Sequence, residues 1–225
     1  MKRLIFDIET LPADESSKKS LKFLYDKKLE KAKEKEAPEI SFEDYLSGTS
    51  FDGSFGRILC IAYAINDEEA RILCQPENEK KMLEDFWFIA GQCDLFIGHN
   101  ITDFDLRFIL QRSIILGVKP SWNRFQELGK KPWEMFKYLS FARYQNLPIF
   151  DTMYEWSNWN NRDKVSLEHL ALALSIPTPK DGIDGSRVYE FYQAGQVKKI
   201  CDYCLRDVEA TRAVYKRMTF QEKLS

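Results

Sequence analysis

The order of the short apolar segments constrains the fold of this chain more than any other feature of its sequence. Three segments with strand character come first, at residues 4–10, 57–65 and 70–75. The last two flank the polar tetrapeptide 66–69, which predicts a hairpin. Helical and strand patterns then alternate towards the end of the chain. A hairpin followed by alternating units predicts an α/β protein with one mixed sheet flanked by helices.

The later elements follow from apolar periodicity and from glycine and proline breaks. Helices are predicted over residues 76–90 and 103–116, since Gly91 and Gly117 stand where each pattern ends. The other predicted elements are strands at 94–98 and 148–154 and helices at 165–175, 187–194 and 197–219. We therefore expect five strands in a single domain over residues 1–225, which is long enough to bury its own core.

Two segments interrupt this pattern and are predicted to be insertions, at residues 12–53 and 119–147. The chain has a formal net charge of −2, yet residues 18–35 carry eight basic and three acidic side chains. Residues 119–147 carry six basic and two acidic side chains together with seven aromatic ones. Basic residues interleaved with aromatics suit a single-stranded nucleic acid. A solvated amphipathic arm in the first segment and core or interface aromatics in the second are the alternatives.

The composition excludes several classes of protein. Hydrophobic residues make up 44% of the chain and charged residues 30%, as in ordinary globular proteins and unlike disordered ones. The longest apolar run, residues 58–65, is too short to cross a bilayer, and the amino terminus lacks a signal-peptide pattern, so we expect no membrane partner. Five cysteines, an odd number, predict reduced thiols in the cytoplasm, and two histidines leave no His-rich zinc site.

Carboxylates cluster at the ends of two predicted strands. Asp7 and Glu9 stand two residues apart, so both leave the same face of the first strand, at the sheet edge where open α/β proteins bind ligands. Asp103 and Asp105 follow the fourth strand at the start of a helix. Neighbouring carboxylates repel each other unless a cation or a proton lies between them. For either pair alone, a solvated strand end or a helix cap is the alternative.

A third group lies on the last predicted helix. Tyr203 and Asp207 are four residues apart, so they stack on one face at the edge of the apolar stripe. A half-buried acid at that place needs a partner. Cys201 and Cys204 fall on the stripe itself and are interpreted as core packing, because no second pair of cysteines completes a zinc site.

Three motifs together resemble a known enzyme family. They are Phe6-Asp7-Ile8-Glu9-Thr10, Asn100-Ile101-Thr102-Asp103-Phe104-Asp105 and Tyr203-x-x-x-Asp207. In this order they resemble the three motifs of the DEDD superfamily of 3′–5′ exonucleases, in its tyrosine subfamily, which includes the proofreading domains of family B DNA polymerases. The histidine subfamily would require a histidine where Asp202 stands. The resemblance covers the chain outside the two predicted insertions and implies a ribonuclease H-like fold.

The resemblance also implies a set of site residues. Two divalent ions, Mg²⁺ or Mn²⁺, would be held by Asp7, Glu9, Asp105 and Asp207, with Asp7 bridging both. Tyr203 would orient the attacking water, which completes a catalytic set of five residues. The residues implied or proposed to contact substrate are Thr10, Leu11, Asn100 and Phe104.

Two further acids compete for roles in this site. Asp103 is the rival of Asp105, and the family pattern favours the acid that follows the aromatic residue. Asp151, at the end of the predicted fifth strand, is either an auxiliary acid or a cap.

We therefore predict a stand-alone, metal-dependent 3′–5′ exonuclease that acts on the 3′ ends of single-stranded nucleic acid, with DNA favoured over RNA. The chain ends one helix after the third motif, which leaves no room for a polymerase domain but leaves association with a DNA polymerase or repair proteins open. A catalytically silent binding module of the same fold and an RNA-directed nuclease are the competing hypotheses. The presence of all four carboxylates and the tyrosine favours the enzyme.

Overall fold

The computed structural model describes residues 1–36, 38–121, 149–160, 162–178, 183 and 185–221. The predicted aromatic and basic insertion at 119–147 lies almost entirely outside these residues. Whether its aromatic side chains stack on substrate or pack in an interface therefore stays a prediction.

Five strands form one mixed sheet, as the order of the apolar segments predicted. The strands are β1 (Arg3–Leu11), β2 (Arg57–Ile65), β3 (Arg71–Leu73), β4 (Leu95–Gly98) and β5 (Ile149–Asp151). Their order across the sheet is β3-β2-β1-β4-β5. The β1–β2 and β2–β3 pairs are antiparallel, whereas β1–β4 and β4–β5 are parallel. This arrangement confirms the predicted mixed five-stranded α/β sheet of the ribonuclease H-like type.

The described part of the chain also contains eight α-helices. They are α1 (Lys18–Glu34), α2 (Phe42–Gly48), α3 (Glu79–Ala90), α4 (Asp105–Leu116), α5 (Thr152–Trp156), α6 (Leu167–Ala173), α7 (Val188–Gln193) and α8 (Val197–Met218). Gly117 ends α4 in the left-handed conformation, with φ +67°, which glycine adopts without steric cost. Among these described helices, none combines the length and apolar character that a bilayer crossing requires.

Alternate residues of β1 enter two different cores. Leu4, Phe6 and Ile8 face α3 and α4, where Phe86 and Phe108 are also buried. The opposite face, which carries Ile5 and Leu11, packs against α7 and α8. Because side chains alternate along a strand, Asp7 and Glu9 also lie on the α8 face. The two-residue period of β1 thus directs its acids towards the last helix.

The carboxyl end of β1 extends beyond one of its neighbours. Pairing with β2 continues to Leu11, but pairing with β4 ends at Ile5. At the end of β4 the chain turns at Gly98, where a Cβ atom would lie 2.6 Å from Cβ of Ile101. The edge of β1 beyond Ile5 is therefore open on the β4 side, which creates a crevice at the strand end.

Several element boundaries differ from the sequence-based expectation, and two of these differences lie next to the carboxylates. The predicted strand 148–154 contains only the short β5, because Asp151 accepts hydrogen bonds from the N–H groups of Met153 and Tyr154 and so caps α5. The predicted helix 103–116 begins at Asp105 rather than at Asp103. Helix α5 therefore begins where the strand was predicted to continue, and α4 begins two residues later than apolar periodicity predicts.

Candidate active site

Asp7 and Glu9 lie side by side at the open end of β1. They pair across the sheet with Ala62 and Cys60, and the register shifts between Glu9 and Thr10 in a bulge. Glu9 is buried. A carboxylate oxygen of each acid and the sulfur of Cys204 all lie within 4.8 Å of one another. The two-residue period of the strand therefore brings the two acids together beneath α8, and the bulge follows directly after them.

Asp105 joins this pair at the edge of β1 that β4 leaves open. It is the first residue of α4 and is only 3% exposed. Its Oδ1 accepts a hydrogen bond of 3.0 Å from the backbone N–H of Ile8, between the two acids of β1. That N–H is available because β4 ends before reaching it. The carboxylate thus takes the place of a missing neighbouring strand and is fixed within the crevice.

Tyr203 and Asp207 approach from α8. Both are buried, at 8% exposure each, and they lie one helical turn apart. The negative charges of Asp207, Glu9 and Asp7 lie around the phenol of Tyr203. The structure therefore brings together all five residues for which a catalytic role is predicted.

Burial and mutual repulsion dominate the electrostatics of the four acids. Burial raises the pKa of Asp7 well above its ordinary value, and the charges of Asp105, Asp207 and Glu9 raise it further. The pKa of Glu9 is raised by burial, then by Asp207 and Asp105. Burial raises the pKa of Asp105 to about 7, against the lowering effect of the Ile8 N–H bond. Burial and mutual repulsion both favour the binding of protons or of a cation by such a group of carboxylates.

Cys204 is a site residue that the sequence pattern alone did not reveal. It packs in the core on the α8 face as expected, but its thiol also lies 3.3 Å from Oδ2 and 3.5 Å from the backbone oxygen of Asp7. This thiol lowers the pKa of Asp7, in opposition to the surrounding acids. Its contact depends on the packing of α8 on β1, to which residue spacing gives no clue.

Asp103 belongs to a different cluster. Its carboxylate accepts hydrogen bonds from the hydroxyl of Tyr154 and from Nζ of Lys164, the latter at 2.8 Å. Lys164 also donates to the Tyr154 hydroxyl at 2.7 Å. Of the two rival acids, Asp105 therefore joins the buried carboxylates, whereas Asp103 fastens the motif to a neighbouring loop.

Asp151 acts as a cap for two segments at once. Besides the two N–H groups of α5, its carboxylate accepts hydrogen bonds of 3.0 Å from the N–H groups of both Asn100 and Thr102. Of the two roles weighed for this acid, the observed contacts are those of a cap. They hold the loop that leads from β4 to Asp105.

The four predicted substrate contacts lie in different environments. Thr10 donates its hydroxyl to the carbonyl of Ser50 at 2.7 Å, and the side chain of Leu11 is 1% exposed within the core. Asn100 adopts a left-handed conformation, with φ +60°, in the loop held by Asp151. The ring of Phe104 is partly buried beside Phe108 in the core behind the site. Contacts of these residues with substrate stay predictions, which for Leu11 concern its backbone atoms.

A cleft of about 340 Å³ opens next to Thr10. One wall is the turn at Ser50 and Phe51, and the other is the start of α7 at Val188 and Tyr189. The cleft adjoins the strand that carries Asp7 and Glu9. It offers hydroxyl and aromatic groups at Thr10, the residue that follows Glu9 on β1.

Residues 53–225 match a family model described as a predicted 3′–5′ exonuclease related to the exonuclease domain of PolB. The chain belongs to this family. The matched residues include the second and third motifs, whereas Asp7, Glu9 and the segment 12–52 lie before the match. Membership confirms the resemblance to an exonuclease, and assignment to the tyrosine subfamily stays a prediction.

Two individual proteins are also similar to this chain, one in sequence and one in structure. The uncharacterized protein MJ0365 of Methanocaldococcus jannaschii is 25% identical over 169 residues, which is 71% of this chain and 84% of that protein. The family B DNA polymerase of the hyperthermophilic archaeon Pyrobaculum calidifontis is similar in structure, with a TM-score of 0.55 and 14% identity. That similarity covers 97% of this chain but 24% of the polymerase. It supports the ribonuclease H-like fold.

Proposed function

We propose that this chain is a metal-dependent 3′–5′ exonuclease that shortens single-stranded nucleic acid from its 3′ end, with DNA as the favoured substrate. The observation that carries the proposal is the convergence of four carboxylates at the open end of β1, where Asp105 is held by the N–H of Ile8. A buried group of this kind is stable at neutral pH only with protons or cations bound. Its neighbours are a phenol and a cleft that can receive a strand end.

The donor set fits two divalent ions of the Mg²⁺ or Mn²⁺ type. Asp7, Glu9, Asp105 and Asp207 offer hard oxygen ligands, which these ions prefer. Burial raises the pKa of the Cys204 thiol far above its ordinary value, so the sulfur is a protonated neighbour of Asp7 rather than a thiolate ligand for zinc. When bound, such ions would stabilise the charge on the attacking and leaving oxygens of the phosphodiester.

Tyr203 has a positioning role in this proposal. Burial, together with the nearby charges of Asp207 and Glu9, raises the pKa of its phenol above the ordinary value. The phenol therefore stays protonated at neutral pH and can orient a water molecule by a hydrogen bond, but it cannot act as a general base. Asp207 lies one helical turn away on the same face, and its charge is the largest one that acts on this phenol.

The surroundings of the acids suit a strand end rather than the middle of a duplex. The cleft beside Thr10 is lined by Phe51, Tyr189 and serine hydroxyls, a combination that can stack a base and contact a sugar. All five cysteines are free thiols, in keeping with a proposed role in a reducing compartment such as the cytoplasm. Association with a DNA polymerase or with repair proteins is part of the same proposal.

Digestion of end-labelled oligonucleotides tests the proposed function directly. Single strands of DNA and RNA, labelled at the 5′ end, are incubated with Mn²⁺ or Mg²⁺, with and without a chelator. We expect a ladder that shortens one nucleotide at a time, disappears with chelator, and is faster on DNA. Strands with a blocked 3′ end should resist digestion.

Asp7→Asn is the matched control for a contaminating nuclease, because it removes one negative charge at nearly constant volume. The variant should retain the fold and lose at least about a hundredfold in rate. Full activity in this variant, or binding of the strand without any cleavage by the natural protein, would favour the silent binding module. Faster cleavage of RNA would instead favour the RNA-directed nuclease.

A further inference from the structure

Helix α1 presents a stripe of lysines that the site does not use. Lys27, Lys28, Lys31 and Lys35 follow the spacing of one helix face, are all exposed, and are here called the lysine stripe. None of the four forms an ion pair with any residue in the described part of the chain. By contrast, Lys18 and Lys22, towards the start of the helix, are paired with Glu15 and Asp26. The stripe is thus a positive surface without ion pairs among the described residues, in which Lys27 and Lys28 lie over the rings of Phe23 and Tyr45.

Hydrogen bonds fix the two ends of the segment that contains α1. The hydroxyl of Thr10 donates to the carbonyl of Ser50, and the N–H of Ala13 donates to Oγ1 of Thr49 at 2.9 Å. These bonds join the two ends of the segment 12–53 to the strand of Asp7 and Glu9. The segment lies almost wholly outside the matched family model, so family membership assigns it no role.

Helix α2 covers one apolar face of α1, the face that carries Tyr25. Tyr25 packs its ring against Phe42 and Tyr45 of α2, with centroids 5.1 and 5.5 Å apart, and donates its hydroxyl to the carbonyl of Ile40. A helix that binds a membrane surface needs a free apolar face. On α1, α2 covers only the face of Tyr25, whereas Phe23 is 59% exposed beside Lys27, so binding to vesicles is included in the test below.

We propose that the lysine stripe binds the phosphate backbone of the strand whose 3′ end lies in the active site. This inference rests on the proposed function, which requires a polyanionic substrate next to β1. From Lys27 to Lys35 the stripe extends about 12 Å along the helix axis, or roughly three to four phosphate spacings of a DNA strand. Ammonium groups at one-turn intervals along this length match a row of phosphates by charge without reading the bases.

Two triple variants of the same helix form the test. Lys27→Gln/Lys28→Gln/Lys31→Gln removes most of the stripe, whereas Lys19→Gln/Lys22→Gln/Lys33→Gln removes three exposed lysines from the other side. Both remove the same charge from exposed positions. Binding of a fluorescent 20-nucleotide single strand is followed by anisotropy in chelator, over a range of salt concentrations. Because no cleavage occurs in chelator, the result does not depend on catalysis.

The stripe variant should bind about tenfold or more weakly at 0.1 M salt, with the slope of log K against log salt shallower by about 2. The other triple variant should keep most of the slope. Equal losses in the two variants, or no loss in either, would overturn the proposal. The proposal would also be overturned if the stripe variant lost binding to phosphatidylserine vesicles but bound the single strand as well as the natural protein does.

Cleavage assays separate this proposal from the proposed function. With Mn²⁺, the stripe variant should show a raised KM on the 20-nucleotide strand and an unchanged rate on a dinucleotide, whose single internucleotide phosphate is the one to be cleaved. Strand binding that depends on the stripe, with no cleavage of any substrate, would contradict the proposed exonuclease and leave the stripe assignment intact.

Discussion

The carboxylate of Asp105 accepts a hydrogen bond of 3.0 Å from the backbone N–H of Ile8, so the acid of the second motif is fastened to the strand of the first. One side chain thereby has two duties. It satisfies a buried backbone donor that β4 does not reach, and it brings a negative charge to Asp7 and Glu9. Substitutions can separate these duties.

Asp105→Asn and Asp105→Ala should differ in stability but not in activity. Asparagine retains an oxygen that accepts from Ile8 and loses the charge, so its free energy of unfolding without metal should equal or exceed that of the natural protein. Alanine leaves the Ile8 N–H unsatisfied and should cost about 1–3 kcal/mol. Both should lose at least about a hundredfold in rate. Urea unfolding and the nuclease assay measure the two effects, and equal stability of the two variants would contradict the role given to this bond.

Tyr203→Phe should slow hydrolysis without weakening metal binding. The phenol is expected to orient water rather than to hold an ion, so we expect a loss of about ten- to a hundredfold in kcat. The Mn²⁺ concentration for half-maximal activity should not change. Asp207→Asn is the comparison, because loss of a ligand should raise that concentration. Undiminished turnover in Tyr203→Phe would contradict the role of this tyrosine in the mechanism.

The metal-free protein should become more stable as the pH falls from 8.5 to 6.5. The pKa values of Asp7, Glu9 and Asp105 are raised in the folded state, so in this range the folded protein binds more protons than the unfolded chain. Stability is therefore lost as pH rises towards and through these values. Below pH 6.5 the effect is opposed by His99, whose pKa burial lowers to about 4.

Thermal unfolding in chelator measures this dependence. We expect Tm to rise by about 3–6 °C across the interval, with a smaller rise in Asp105→Asn. Mn²⁺ should raise Tm more at pH 8.5 than at pH 6.5, because the cation then replaces protons. A flat or opposite trend in the metal-free protein would show that the acids are not a proton-holding group.

Cys204→Val should move the acidic limb of the pH–rate profile to higher pH. Valine fills the core position but removes the thiol that lies 3.3 Å from Asp7 and lowers its pKa. Asp7 then keeps its proton up to a higher pH and is less available as a metal ligand. Cys93→Val is the control, since Cys93 is buried in the core on the α3 face. An identical shift in both variants would contradict a specific effect of Cys204.

Much of the fold could be predicted because apolar periodicity and glycine positions are local signals. β2 was bounded correctly, and α3 ends at Ala90 before Gly91 as predicted. The fifth strand was predicted too long, because the side chain of Asp151 stops it by capping α5. An aspartate looks the same in the sequence whether it caps a helix or lines a crevice. Its role depends on which N–H groups lie near it in the folded chain.

The site also contains features that residue spacing reveals and features that it does not. The five predicted catalytic residues meet because each occupies a regular place on a strand or helix, which spacing can reveal. The contact of Cys204 with Asp7 and the attachment of Asp103 to Lys164 depend on how distant elements pack. Only the resemblance to a family distinguished Asp105 from Asp103, and the structure supplies the physical reason in the Ile8 bond.

The unequal lengths of β1 and β4 have a consequence for how this fold can change. A β4 longer by two or three residues would offer its own carbonyl to the N–H of Ile8, and Asp105 would be displaced. The crevice therefore depends on a difference in strand length, which no single residue type encodes. Point substitutions along β4 should be tolerated better than a short insertion before Gly98, even one made of good strand-forming residues.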